Sequence, residues 1–300
     1  MDWTPGAQSG DIEDRRDSSG GDGGGGGFGF GGGGGLGIAG FVVLVVLSLA
    51  TGRNFLSGVL SGPGAAPSQY QQAGPRAAGP AQPHSAGEDR DVQLISFVLD
   101  DVQKTWTGIF SAAGKTYPHA KLVIYRGATY SGCGTARSST GPFYCPQDQK
   151  VYIDLSFWDE LKHFGGATTE FAQAYVIAHE LGHHVQKLLG IEARERQAVS
   201  ANPEEQNVLS VDLELQADCF AGVWAHSTQQ RNIVHEDDIA GALSAAAAVG
   251  DDHLQKMSGR AVSPESWTHG SSAQRQKWFT TGLSTGKVSA CATFDGKLAP

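Results

Sequence analysis

Two stretches in the second half of the chain repeat apolar residues at the three- and four-residue steps of an amphipathic helix. The first stretch lies between Thr168 or Thr169, either of which can cap a helix start, and Gly190, which can end one. The second begins at Ser210, a plausible cap. Both are predicted to be helices with a buried face. The apolar positions are Phe171, Tyr175, Val176, Ile177, Leu181, Val185, Leu188 and Leu189 in the first, and Leu213, Ala217, Phe220 and Trp224 in the second.

Other elements complete a mixed domain. Helical spacing recurs from Asp91 to Trp106, from Ile239 to Val249 and from Ser272 to Leu283. Two stretches, Lys121–Tyr125 and Val151–Phe157, have the composition of strands. The fold class predicted for residues 91–293 is therefore α+β, with a small sheet on a mainly helical body. Residues 294–300 are predicted to be a C-terminal tail.

The first 90 residues have a different composition. Residues 1–35 are rich in glycine and cannot bury enough apolar surface to offset the entropy of ordering, so disorder is expected. Residues 36–53 hold an apolar run that is predicted to form one transmembrane helix. A signal peptide with a processing site at Ser48–Ala50 is the alternative, but an acidic, glycine-rich leader is a poor start for one. Residues 54–90 are predicted to be a flexible Gly/Pro/Ala linker.

His179, Glu180 and His183 form an H-E-x-x-H pattern inside the first predicted site helix. Histidines four residues apart lie one turn apart on one helix face, so both rings can reach one zinc ion at about 2.0–2.1 Å. Glu180 is predicted to be the general base acting on a zinc-activated water. His184 lies about 100° further round the helix and is not expected to bind the metal. A core helix with two ordinary histidines and a solvated glutamate is the alternative.

A catalytic zinc site needs a third protein ligand. A third histidine six residues beyond His183 is excluded, because Leu189 occupies that position. Glu214 and Asp218 share one face of the second predicted site helix. Glu214 is predicted to bind the metal, while Asp218 accepts a hydrogen bond from a ligand imidazole. The alternative for this pair is a solvated helix face.

These residues resemble the gluzincin pattern, in which H-E-x-x-H is followed by a helix carrying E-x-x-x-D. More closely, the chain resembles the bacterial membrane-anchored neutral zinc metallopeptidases, over most of residues 90–293. The resemblance implies a zincin-like fold, one zinc ion per chain and hydrolysis of peptide bonds, without identifying a substrate. Its motifs lie in the segments Gly141–Pro146, Val151–Phe157, Phe171–Gln186, Glu214–Gly222 and His269–Arg275.

His269 and Arg275 resemble the histidine–proline and arginine element of the membrane-protease branch of gluzincins, although Gly270 replaces the proline. The resemblance implies that His269 stabilises the tetrahedral oxyanion, with Arg275 supporting the site. The alternative is that His269 only caps the helix that begins near Ser271. In proteases of this type, a strand beside the metal binds an extended substrate along its free edge. Val151–Phe157, just before the first site helix, is predicted to be that strand.

Cys133, Cys145, Cys219 and Cys291 form an even set without C-x-x-C spacing, so two disulfides outside the cytoplasm are expected. Three pairings are possible. Cys133–Cys145 is favoured because it closes a local loop, together with Cys219–Cys291, which would tie the second site helix to the tail. Four buried thiols in a cytoplasmic domain are the alternative. The net charge of −9 and the lack of a basic stripe exclude nucleic acid as an expected partner.

The sequence therefore predicts a zinc endopeptidase of a bacterial-type cell membrane. It would be a single-pass protein, anchored in lipid by one N-terminal helix, with its catalytic domain outside the cytoplasm and a peptide or protein as substrate. A zinc-binding scaffold domain with weak or no turnover is the alternative. A metal-free structural protein is a third hypothesis, but it gives Glu180, Glu214 and Asp218 no common function.

Overall fold

The computed structural model describes residues 1–17 and 85–294. The predicted transmembrane helix at 36–53 lies outside the described residues, as do most of the predicted linker at 54–90 and of the tail at 294–300. Within residues 1–17 and 85–294, no helix is both long enough and apolar enough to cross a membrane. The α+β class is confirmed, because a small sheet packs on a mainly helical body.

Helices form most of the described chain. They are α1 (Ala86–Ala112), α2 (Phe157–His163), α3 (Glu170–Leu188), α4 (Ile191–Ala201), α5 (Gln206–Gln230), α6 (Glu236–Ala248), α7 (Asp251–Met257) and α8 (Ser272–Thr285). The strands are β1 (Ile12–Asp14), β2 (Lys121–Tyr125), β3 (Ala128–Ser131), β4 (Gly134–Arg137), β5 (Phe143–Cys145) and β6 (Lys150–Asp154). Short 3-10 turns lie at Ser138–Thr140, Pro203–Glu205, Pro264–Ser266 and Val288–Ala290.

Four strands form the main sheet in the order β1-β2-β6-β5. β1, β2 and β6 run parallel, and β5 is antiparallel to β6. Both central strands are buried along almost their whole length, as expected for strands covered on both faces. The prediction that Val151–Phe157 provides a free edge is therefore wrong, because β6 lies between β2 and β5. The antiparallel strand β5 occupies that edge instead.

The first residues of the chain belong to this sheet. Residues 1–17 fall within the segment expected to be disordered, yet β1 pairs with β2 in the register Ile12 to Leu122 and Asp14 to Ile124. Ser9 and Arg16 are both buried to 8% exposure. The expectation of disorder is thus not met by residues 1–17, and residues 18–35 lie outside the described residues.

α3 lies at the centre of the helical body, and α1, α5 and α6 pack around it. Thr169 caps the start of α3 by accepting a hydrogen bond from the Ala172 N–H, and Gly190 follows its end in a left-handed conformation. α5 begins at Gln206, so Ser210 lies inside that helix and does not cap it. The other predicted helices appear with longer or slightly shifted bounds.

Both favoured disulfides are present. Cys133, in the turn between β3 and β4, is bonded to Cys145 of β5 with an S–S distance of 2.04 Å. Cys219 of α5 is bonded to Cys291 with an S–S distance of 2.01 Å. The first bond fixes the β3–β4 hairpin to the sheet edge, and the second holds the end of the described chain against α5.

Candidate metal centre

The candidate site lies where α3 and α5 pack against each other. Gly182 of α3 makes the approach possible, because a side-chain Cβ there would lie 3.1 Å from both the Cα and the carbonyl oxygen of Ala217 on α5. That distance is shorter than ordinary van der Waals contact. The glycine within H-E-x-x-H thus lets the second site helix pack directly against the first, which brings Glu214 to the two histidines.

His179, His183 and Glu214 form one cluster, and one ligand atom from each lies within 4.8 Å of the others. Glu214 contacts both rings: its Oε2 lies 3.2 Å from His179 Nε2, and its Oε1 lies 3.5 Å from His183 Nε2. The three residues predicted as metal ligands are therefore together in space. They are also partly open to solvent, since His183 and Glu214 keep 16% and 20% of their side chains exposed.

The cluster fits a zinc ion on geometric grounds. Ligand atoms bound tetrahedrally at about 2.0–2.1 Å lie about 3.3 Å from one another. The distances of 3.2 and 3.5 Å between Glu214 and the two histidine nitrogens match that spacing. Two neutral imidazoles and one carboxylate are also a donor set that catalytic zinc sites use, with the fourth position left for water or substrate.

Asp218 orients His179 from behind. It is fully buried, and its Oδ1 accepts a hydrogen bond of 2.8 Å from His179 Nδ1–H, which leaves Nε2 facing Glu214. Arg275 donates to both Asp218 oxygens, at 2.8 and 2.9 Å. Tyr175 adds a hydrogen bond of 2.5 Å to Oδ1. The predicted contact between Asp218 and a ligand imidazole is thus present, and Arg275 reaches His179 through that carboxylate.

The charges of this buried group depend on one another. Burial lowers the pKa of His179, but the neighbouring carboxylates of Asp218 and Glu214 outweigh it and raise the pKa to about 10. Burial raises the pKa of Asp218, and the Arg275 guanidinium and His179 reverse the effect, so that the carboxyl stays ionised. For Glu214 the histidines likewise overcome burial and hold its pKa well below the ordinary value. The protein alone therefore stabilises an anionic Glu214.

His183 has a different supporting residue. Its Nδ1–H donates to Gln186 Oε1 at 2.8 Å, which leaves Nε2 free on the side of Glu214. Gln186 in turn donates to the Leu213 carbonyl at 2.7 Å and to Gln216 at 3.1 Å. Gln186 and Tyr175 were missed as functional residues. Both lie on α3 within four residues of a metal-binding candidate, which is the signal that could have identified them.

Glu180 lies on α3 between the two histidines and is 8% exposed. Burial raises the pKa of its carboxyl, and the nearby histidines oppose that rise only in part. A carboxylate that is largely removed from water is a stronger proton acceptor than a solvated one. This environment suits the predicted general base.

His269 stands at the same site but outside the ligand cluster. Asp251, a buried residue at the start of α7, accepts the backbone N–H groups of Thr268, His269 and Gly270 at 2.8, 2.7 and 3.0 Å. Its other oxygen lies 3.4 Å from His269 Nδ1. Gly270 has φ +86°, a conformation that favours glycine and explains why no proline follows this histidine. Asp251 is a further residue that sequence reasoning missed.

The electrostatic environment of His269 includes the metal-binding candidates. Burial lowers the pKa of His269, but Asp251 and Glu214 outweigh it and leave the pKa raised. An imidazole that tends to hold its proton is suited to stabilising negative charge. Ser271, and not His269, caps α8 through its side chain, so the capping alternative does not account for His269.

His184 faces away from the cluster, as expected. Its Nε2–H donates to the Pro118 carbonyl at 2.7 Å, and its Nδ1 accepts the Tyr144 hydroxyl at 2.9 Å. Burial lowers the pKa of this ring. Because Tyr144 belongs to β5, this hydrogen bond links the sheet edge to the helix that carries both candidate ligands.

Comparisons with known proteins agree with the family resemblance. A family model described as "Putative neutral zinc metallopeptidase" matches residues 1–294. The chain is 47% identical to "Uncharacterized protein YpfJ" of Escherichia coli (strain K12) over 296 residues, which covers 98% of this chain and 99% of that protein. It is 46% identical over 192 residues to "Uncharacterized protein Rv2575" of Mycobacterium tuberculosis (strain ATCC 25618 / H37Rv), covering 60% of this chain and 64% of that protein. No solved structure matches the chain.

Proposed function

Because the chain belongs to the neutral zinc metallopeptidase family, we propose that it is a zinc-dependent endopeptidase whose metal is held by His179, His183 and Glu214. The observation that carries this proposal is the spacing of the three ligand atoms, which lie within 4.8 Å of one another. Glu180 lies beside them on α3. A binding site alone requires the three ligands, whereas hydrolysis also requires a base at that position.

Zinc, when bound, supplies a Lewis acid that polarises a peptide carbonyl and makes water acidic near neutral pH. The protein's own residues supply the remaining steps. Glu180 accepts the proton of the attacking water and later gives it to the leaving amine nitrogen. His269, held by Asp251, donates a hydrogen bond to the oxygen that becomes negative during the attack. Asp218 and Gln186 keep the Nε2 atoms of the two histidines pointed at the site.

An extended peptide segment is the proposed form of the substrate. β5 is an antiparallel edge strand, and within the described residues it is paired only with β6. An extended substrate would add a strand along its other edge. The Tyr144–His184 hydrogen bond joins this strand to α3, although His184 lies on the helix face turned away from the ligand cluster. We propose that unfolded or extended segments of peptides and proteins are cleaved, and folded ones are not.

The test compares Glu180→Gln with a matched control, Glu204→Gln, which alters an exposed glutamate away from the site. Glu180→Gln should retain about one zinc per chain and lose cleavage of casein by at least ~100-fold, since a general base contributes about 10²–10⁴-fold. Glu204→Gln should match the wild type in both measurements. A wild type that binds zinc but cleaves no more casein than Glu180→Gln would refute the peptidase and favour the scaffold alternative.

The cellular location is a separate proposal. Two disulfides are the kind of crosslink that persists outside the cytoplasm, and they support an extracytoplasmic catalytic domain. Attachment to the membrane through residues 36–53 stays a prediction from the sequence.

A further inference from the structure

Residues 1–17 are joined to the catalytic domain by backbone pairing. Besides the β1–β2 register, the Leu122 N–H donates to the Asp11 carbonyl at 2.8 Å, and the Arg15 N–H donates to the Ile124 carbonyl at 2.7 Å. Near the chain start, the Asp2 N–H donates to the Ile233 carbonyl at 2.7 Å. The segment thus contacts both the sheet and the loop between α5 and α6.

Oppositely charged side chains also pair between the N-terminal segment and the domain. Asp11 lies 2.8 Å from Lys121 Nζ and 2.8 Å from His119 Nδ1. Glu13 lies 2.6 Å from Lys150 Nζ on β6, two strands away in the sheet. Asp11 and Glu13 of the N-terminal segment therefore both meet basic groups of the domain.

Buried contacts also hold the N-terminal segment against the domain. The Ser9 N–H donates to Ser96 Oγ on α1 at 2.7 Å, in a buried position. Trp3 packs against Phe97 with ring centroids 5.9 Å apart, and its Nε1–H donates to Glu170 at the start of α3 at 3.0 Å. The first seventeen residues contact both α1 and the helix that carries the candidate ligands.

Such contacts require both partners to lie in one compartment. Paired strands are about 4.7–4.9 Å apart, whereas the hydrocarbon core of a bilayer is about 30 Å thick. We propose that residues 1–17 and residues 85–294 lie on the same side of any membrane with which the chain associates. A single crossing by residues 36–53 would separate them, so this proposal and the single-pass topology expected from the sequence exclude each other.

The proposal changes how the basic residues before the apolar run are interpreted. Arg15 and Arg16 precede that run and would count towards a cytoplasmic N-terminus. In the structure, Arg16 is 8% exposed and pairs with Asp14 at 2.7 Å, and Arg15 pairs with Glu13 at 2.6 Å. Arg53 follows the run closely, so the positive-inside count does not decide on which side of a membrane this segment lies. The disulfides support a catalytic domain outside the cytoplasm. If residues 1–17 lie on the same side as that domain, they are exported together with it.

Cysteine labelling of the full chain tests the proposal, because all four natural cysteines are in disulfides. Gly6→Cys and Gly108→Cys introduce one thiol in the N-terminal segment and one on α1, at positions where a side chain meets nothing within 4 Å. A membrane-impermeant maleimide is applied to whole cells and to permeabilised cells. We expect both thiols to behave alike. Both should be labelled in whole cells, or both should be labelled only after permeabilisation. Labelling of one thiol in whole cells, with the other protected, would overturn the proposal.

A zero-length crosslink tests the docking itself. A water-soluble carbodiimide should join Glu13 to Lys150 by an amide bond, with loss of water, and mass spectrometry of peptides identifies the link. Glu13→Gln should lose it. The Lys256–Asp252 pair, at 3.3 Å within α7, is an internal control for reactivity. Formation of the control link without the Glu13–Lys150 link would overturn the proposal. Neither experiment depends on peptidase activity, so failure here and failure of the proposed function are distinguishable.

Discussion

The contact between α5 and α8 gives the sharpest prediction for the stability of the site. Gly222 of α5 and Gly282 of α8 face the opposite helix at very short range. A Cβ at Gly282 would lie 2.0 Å from the Cys219 carbonyl oxygen, and one at Gly222 would lie 2.1 Å from the Phe279 carbonyl oxygen. Both obstacles are backbone atoms, which cannot rotate out of the way. Gly282→Ala should therefore force the two helices apart.

The size of the effect follows from these distances. Ordinary contact needs about 3.5 Å, so the helices must separate by more than ~1 Å. Overpacking of this kind costs about 1–3 kcal/mol, against a gain of about 1 kcal/mol because alanine is a better helix former than glycine. The same movement lengthens the 2.8 Å hydrogen bond from Arg275 on α8 to Asp218 on α5. Loss of such support for a metal ligand weakens metal affinity by about 10–100-fold.

Two measurements check this reasoning, with Gly108→Ala as the matched control. A Cβ at Gly108, on the exposed side of α1, meets nothing within 4 Å. Gly108→Ala should therefore keep or raise the melting temperature and leave zinc affinity unchanged. Gly282→Ala should lower the melting temperature by up to ~8 °C and weaken zinc binding in a chelator competition. If Gly282→Ala binds zinc as tightly as the wild type while its stability falls, the proposed link between helix spacing and the metal site is refuted.

Three further predictions address the ligands, the oxyanion group and pH. His183→Ala should bind less than about a tenth of a zinc per chain, measured by mass spectrometry of the metal content, because two remaining ligands do not hold zinc. Asp251→Asn should retain zinc but lower kcat about 10–100-fold, since His269 loses its carboxylate partner; unchanged kcat would contradict that role. Hydrogen bonds from Arg126 lower the pKa of Glu88 to about 2, so this pair stabilises the fold above pH 4.5 and the contribution disappears as the pH falls towards 2. With 27% of the Glu88 side chain exposed, the contribution is about 1 kcal/mol, and the stability difference between wild type and Glu88→Gln should vanish at low pH.

The candidate metal ligands could be predicted because their geometry is local. His179 and His183 are fixed relative to each other by one turn of helix, and Glu214 and Asp218 by another. The contact between the two helices, in contrast, depends on the tertiary fold and could not be derived from either segment alone. The supporting residues were harder to find: Tyr175 and Gln186 have no polar pattern of their own, and Asp251 acts on a loop that begins seventeen residues later.

Two expectations failed for the same physical reason: the free sheet edge assigned to Val151–Phe157 and the disorder assigned to residues 1–17. Strand order is a property of the whole sheet, and Val151–Phe157 carries no signal of which strands lie on either side. β1 is three residues long, polar in composition and followed by a glycine-rich segment. Composition therefore favoured disorder, whereas the partner strand that orders β1 is distant in sequence and could not be recognised locally.

The position of β1 also affects how the polypeptide assembles during translation. Ribosomes add about 5–20 residues per second, so Ile12 is made on the order of ten seconds before its partner, Leu122. The earliest part of the chain is consequently among the last to be placed. Once β2 has been made and before β1 pairs with it, the open edge of β2 can accept the corresponding strand of a neighbouring nascent copy, and two copies that exchanged these strands would form a domain-swapped dimer with the same hydrogen bonds. A tether within one molecule favours the correct partner through its high effective concentration, so crowded polysomes are where such an exchange would first be found.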